Sequence, residues 1–215
     1  MRLLVALFAL LLASGCGPSR ATTDGSIPGP GDGATDSPLE WCLKQTTTVK
    51  LTCAAPNTFE YMVAGTKFRC LGSESFSKPV AWFLFELAGG VKVRALRIGK
   101  DLQPHPTDSL VELTAPAPVD LSAMPGAALS WDLRIRPMAL AGGLSFVDAT
   151  VQGVDLKLEP FDDAKLVDTT TVAGTFSFRG GTFVVLDKQG EKQTVQDPDA
   201  EGRGCFNVQG KLQPL

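Results

Sequence analysis

The chain of 215 residues contains one histidine, and that scarcity removes whole classes of chemistry. Any Ser-His-Asp or Cys-His mechanism has to use His105, and a zinc site built from several imidazoles is excluded. His105 stands between Pro104 and Pro106, a kinked loop setting with no sequence neighbour to orient the ring, so it reads as a surface residue rather than a catalytic one. The motifs H-E-x-x-H and G-x-S-x-G are missing, and so are the phosphate-binding glycine motifs. There is no block of Lys or Arg, and the formal net charge is −3. The chain therefore lacks the cationic surface that nucleic acid or anionic headgroups require. No apolar run reaches the ~20 residues of a spanning helix. No C-x-x-C pair marks a redox or zinc site.

What is present starts at the N-terminus. Arg2 precedes an apolar run from Leu3 to Ala13, and the small residues Ala13-Ser14-Gly15 follow, the three parts of an export signal. The stretch Leu12-Ala13-Ser14-Gly15-Cys16 resembles the lipobox of bacterial lipoproteins, with Ala13 where that family favours Leu. The resemblance covers the signal alone. It implies that residues 1–15 are removed and that Cys16 carries diacylglycerol in thioether linkage, with an N-acyl chain added. Gly17 stands where an inner-membrane lipoprotein typically has Asp, which implies the outer membrane.

Residues 16–36 then read as the lipidated Cys and a tether. They are almost entirely Gly, Pro, Ser, Thr, Ala and Asp, with Ile27 the one large apolar side chain. Such a composition buries too little apolar surface to offset chain entropy. As a random coil of about 20 residues it spans roughly 25 Å. Residues 37–215 are expected to form a single domain. Around the Pro104-His105-Pro106 kink, 99–109 is the one credible internal boundary, and it reads as a crossover loop.

Lipidation of Cys16 turns an odd count of five cysteines into an even four: Cys42, Cys53, Cys70 and Cys205. An exported chain with four cysteines is expected to hold two disulfides, and three connectivities are open. The pairing expected here is Cys53 with Cys70, across the first hairpin region, and Cys42 with Cys205, tying the start of the fold to its end.

The Ser37-Pro38-Leu39-Glu40 stretch predicts a short helix, with Ser37 as N-cap and Glu40 reaching back. Beyond it the apolar residues alternate. Leu129, Trp131, Leu133 and Ile135 face one way, as do Val154, Leu156 and Leu158, and Phe206, Val208 and Leu212, with polar residues between them. This is the pattern of half-buried antiparallel strands. Val80 to Phe85 is apolar on both faces and predicts a strand covered on both sides. Gly89-Gly90 and Gly180-Gly181 each predict a tight hairpin. Roughly ten to twelve short strands without a long helix predict an all-β, antiparallel β-sandwich or jelly roll with one short N-terminal helix.

Three features could carry chemistry. Asp162-Asp163 is the closest acidic pair, to be weighed as half of a paired-carboxylate hydrolase or as a solvated turn. Asp197, Asp199 and Glu201 with Gly202 resemble the front half of a Ca²⁺ loop, although Val208 stands where a bidentate Glu is expected and a strand follows; the other reading is an acidic hairpin loop rich in turn residues. Trp41, Trp82 and Trp131 raise the prospect of sugar stacking, with Trp41 the most exposed by pattern and the other two in core register. The expectation is an outer-membrane-anchored lipoprotein with a non-catalytic binding or envelope-structural β-domain. Its partner is an unidentified protein, glycan or apolar ligand. The rivals are a carbohydrate-binding module with Ca²⁺, a carboxylate hydrolase, and an apolar-ligand carrier suggested by Trp82, Phe83 and Phe85.

Overall fold

The structure, a computed structural model, describes residues 36–45, 51–75, 78–87, 89–100, 109–137, 146–167, 170–187 and 189–215. The signal segment, Cys16, the tether up to residue 35 and His105 lie outside them. Helix α1, Pro38–Gln45, starts where the sequence predicts. The Glu40 amide donates to Ser37 Oγ at 3.2 Å, and the Ser37 amide donates to the Glu40 carboxylate at 3.3 Å. The capping box is closed, and Pro38 occupies a first-turn position that needs no amide.

Eleven strands are described: β1 Thr58–Ala64, β2 Leu71–Ser75, β3 Pro79–Leu87, β4 Val91–Lys100, β5 Ser109–Asp120, β6 Ala128–Ile135, β7 Phe146–Leu158, β8 Thr170–Arg179, β9 Thr182–Leu186, β10 Lys192–Gln196 and β11 Glu201–Pro214. The all-β class holds. The sandwich or jelly roll is corrected to a closed barrel of seven strands, in the order β3-β4-β5-β6-β7-β8-β11 and back to β3. Inward and outward alternation is common to sandwiches and barrels; closure depends on which edges meet. Here one edge of β11 is shared. Its first half pairs antiparallel with β1 and its second half, Gln209 to Pro214, pairs parallel with Val80 to Phe85 of β3. The opposite edge of β11 pairs with β8, which also pairs with β7, and the ring is complete.

The hairpin expected at Gly89-Gly90 is present: Leu87 faces Val91 across it, and both glycines have positive φ, 73° and 131°. The hairpin expected at Gly180-Gly181 is not. β8 and β9 run in the same direction along one edge of β7, Ser177 facing Asp155 and Thr182 facing Thr150. The two glycines, at φ 71° and 154°, form a jog within one long bent strand. Residues 197–200 make the matching jog between β10 and β11. The chain reversal itself lies between β9 and β10, which pair antiparallel, and there the Asp187 carboxylate accepts from the Gln189 and Glu191 amides, both at 2.9 Å.

The alternation read from the sequence survives in the barrel. Trp131, Leu133 and Ile135, Val154, Leu156 and Leu158, and Phe206 and Val208 are all buried, while Leu129 and Leu212 are half-buried at the core's margin. Phenylalanine faces glycine at three successive inward positions of the β8–β11 ladder: Phe178 and Gly202, Phe176 and Gly204, Gly174 and Phe206. Each ring lies over a backbone with no Cβ, where a Cβ would come within 2.2 to 2.6 Å of a ring carbon, and so the glycines make room for large rings inside a barrel of seven strands.

α1 lies against the outer face of β1, where Cys42 packs with Met62 and Ala64. All four cysteines are bridged, but the expected pairing is corrected: the bonds are Cys42–Cys70 and Cys53–Cys205, with Cα separations of 5.4 and 5.9 Å. Docking of α1 on β1 brings Cys42 to the residue just ahead of β2. Cys53, on the stretch just ahead of β1, is bonded to Cys205 of β11. Opening the 28-residue loop by Cys42→Ser with Cys70→Ser should cost about 3.5 kcal/mol on the chain-entropy model. A thermal melt should fall by about 10 °C; an unchanged melt would show that α1 docks without its staple.

Candidate polar recess and its carboxylate clamp

Where the β8–β9 strand jogs, its ladder with β7 is interrupted. Pairing stops at Thr150 with Thr182 and resumes at Asp155 with Ser177, leaving residues 151–154 outside it. An open recess of about 680 Å³ occupies this break on the barrel's outer side. Thr150, Gln152, Arg179, Thr182 and Gln196 line it together with the apolar side chains of Val151 and Pro198 and the backbone of Gly180-Gly181. Hydroxyls, amides and one guanidinium can hydrogen-bond a polar ligand. No carboxylate and no aromatic ring is among the lining residues, so the recess supplies neither the acid–base pair of a glycosidase nor a stacking platform.

Asp197 holds one wall in place. It is fully buried, and its carboxylate accepts from Thr66 N and Thr66 Oγ1 at 2.8 Å, Lys67 N at 3.0 Å and Asp199 N at 3.2 Å. Lys67 Nζ adds a bond to Gln196 O at 2.7 Å. Gly65 permits the approach, since a Cβ there would lie 2.7 Å from Asp197 Oδ2 and 2.3 Å from the Phe68 ring. The loop after β1 is thereby fastened to the β10–β11 jog. Beneath it the Phe68, Phe146 and Phe183 rings pack with centroids 4.4 to 5.5 Å apart.

The structure sends the three carboxylates of the acidic stretch to different partners. Asp199 faces Arg179 at 3.8 Å with both side chains exposed, a pair worth little in water. Glu201 Oε2 accepts from Leu39 N at 3.4 Å. Among the described residues, the one group of three ligand-type atoms in mutual reach is Cys53, Glu60 and Cys205, whose sulfurs are bonded to each other. Asp162 pairs with Lys165 at 2.9 Å, and that hydrogen bond holds its carboxyl below the usual range; Asp163 opens a short 3-10 helix. Trp131 is core. Trp82 is half-buried with Lys211 Nζ 5.1 Å above its ring, and Trp41 is half-buried on α1.

Tyr61 is the strongly perturbed titratable group among the described residues. Burial of the phenol pushes its pKa well above the ordinary 10.0, and the Glu74 carboxylate that its hydroxyl bonds adds to the rise. A raised folded-state pKa contributes stability that is complete below the unfolded value and is lost as the pH rises through the folded one. Denaturation midpoints should therefore fall above pH ~10, and Tyr61→Phe should flatten that fall.

The recess itself was not legible in the sequence, because a Gly-Gly pair marks a hairpin and a jog alike. No protein-family model, no curated protein and no solved structure matches the chain.

Proposed function

We propose that this is an exported lipoprotein, anchored through acyl chains on Cys16 at the outer membrane, whose barrel is a non-catalytic binding or envelope-structural module. The observation that carries the reading is the apolar run of residues 3–13, too short to span a bilayer, ending in Leu12-Ala13-Ser14-Gly15-Cys16. The composition of residues 17–36 supports it, as a spacer between anchor and domain. The two disulfides agree with an oxidising compartment. Two or three acyl chains make such anchoring effectively permanent.

A polar ligand at the recess is the binding mode that the geometry favours over an apolar carrier. Large side chains such as Trp131, Phe83 and Phe206 are buried in the barrel interior, whereas the recess is open and offers the hydroxyls, amides and guanidinium of Thr150, Thr182, Gln152, Gln196 and Arg179 beside Val151 and Pro198. A Ca²⁺-dependent sugar site has less support, since Asp197, Asp199 and Glu201 each hold a separate protein partner, and so has paired-carboxylate hydrolysis, since Asp162 pairs with Lys165 and no carboxylate lines the recess. Intact-mass analysis of the membrane fraction should show the chain beginning at Cys16 with a lipid adduct. Cys16→Ala should release it from the membrane; a wild-type mass without lipid would sink the anchor.

A further inference from the structure

Glu60 of β1 stands directly opposite Cys205 of β11, on the outer face where Cys53 is bonded to Cys205. The two sulfurs and a Glu60 carboxylate oxygen lie within 4.8 Å of one another. Glu60 Oε2 is buried and receives no hydrogen bond, and the same is true of Asn207 Oδ1, two residues along β11. Asn207 Nδ2 meanwhile holds the Cys53 carbonyl at 3.4 Å. Cys53 itself has φ 40°, the left-handed region that a residue with a Cβ occupies at a cost. The oxidised state thus leaves two buried acceptors without donors beside a strained residue, and a native protein seldom keeps such a group without a use for it. The missing donor is the one that reduction would create, a thiol. The other bridge has a different setting, among Met62, Ala64, Leu39 and Leu43.

We propose that Cys53–Cys205 is a thiol–disulfide exchange site, opened by dithiol reductants in the folded protein, with Glu60 as the positioning residue that stabilises its reduced form. The reductant's thiolate attacks Cys53 Sγ, on the segment outside the sheet. The Cys53–Cys205 bond breaks, and the electron pair leaves on Cys205 Sγ. Cys205 takes up a proton equivalent to the one the attacking thiol lost, and its S–H donates to Glu60. The reductant's second thiol then cleaves the mixed disulfide and leaves as an intramolecular disulfide. Two electrons and two protons have passed to the protein as two thiols. Cys42–Cys70 is untouched, so α1 stays docked while the segment around Cys53 is freed from β11.

The test equilibrates the full chain in buffers of varied reduced-to-oxidised dithiothreitol. Free thiols are trapped by alkylation, and each pair is read separately by peptide mass analysis beside near-UV circular dichroism. Cys53–Cys205 should open at a less reducing ratio than Cys42–Cys70 while the tertiary signal persists. Glu60→Leu should shift that ratio about tenfold toward the disulfide, or about 30 mV, and leave Cys42–Cys70 where it was. Glu60→Gln, which keeps the shape and offers a weaker acceptor, should shift it in the same direction by less. Bond and fold stabilise each other equally by linkage. Cys53→Ser with Cys205→Ser should therefore lower the melting temperature less than the Cys42 and Cys70 pair of substitutions, despite the longer loop of 152 residues. If both bridges open together as the folded signal is lost, or if folded Glu60 variants leave the ratio unchanged, the exchange site is wrong. Should neither variant fold, the order of opening in the wild-type chain decides alone.

Discussion

Asp197→Ala should destabilise the domain by about 2–4 kcal/mol, the largest effect expected from any acidic residue of the β10–β11 jog. The substitution strips the acceptor from Thr66 N, Thr66 Oγ1, Lys67 N and Asp199 N at once. Thr66 and Lys67 are exposed, so water recovers part of the loss, which is why the figure stays below the sum of four charge-assisted bonds. Urea denaturation is the direct measurement, with a lowered midpoint and an unchanged slope. Asp199→Ala serves as the control and should lie within about 0.5 kcal/mol of wild type, because its pairing with Arg179 is solvent-screened. Added calcium should leave both melting curves in place. A silent Asp197→Ala, or a rise of several degrees with calcium, would return these carboxylates to the role of cation ligands.

Gly204→Val tests the packing of the barrel's interior. A Cβ on Gly204 would lie 2.3 Å from a Phe176 ring carbon and 3.0 Å from Tyr61 Cβ, both of them buried side chains with nowhere to retreat. Overpacking of this kind costs about 3 kcal/mol or more. Phe176→Ala alone should cost a similar ~3–5 kcal/mol by leaving a cavity. The double substitution is the sharper measurement. Valine would then occupy space the ring has vacated, and the two losses should fall short of additivity by about 1–3 kcal/mol. Strict additivity would mean that the ring does not rest on Gly204.

Much of this architecture could be read locally. Ser37, Pro38 and Glu40 specify a helix start within four residues, and the observed capping bonds are the ones those residues imply. The inward positions of β6, β7 and β11 follow from a period of two, since successive side chains of a strand point to opposite faces whatever lies beside it. An even number of cysteines, once Cys16 is set aside, implies two bridges, and four cysteines are bridged.

Which strand lies at each edge is not written in that alternation. β11 closes the barrel because its second half meets β3 in parallel, a contact between residues far apart in the chain, and nothing in either strand's pattern distinguishes this from a sandwich edge. Gly180-Gly181 supplies the positive φ for a bend, while the neighbours β7 and β11 determine that the chain continues past it. Cysteine connectivity is not written in the spacing because it depends on distance through space, which the docking of α1 on β1 sets. The hydrogen bonds of Asp197 are not legible in the acidic stretch because its donors, Thr66 and Lys67, lie 131 and 130 residues away. The sequence alone determines how each segment folds and which face it buries, since those preferences are local to the backbone. Only the tertiary structure decided the partners, because edge pairing, disulfide choice and the satisfaction of a buried carboxylate all depend on groups that the completed fold brings together.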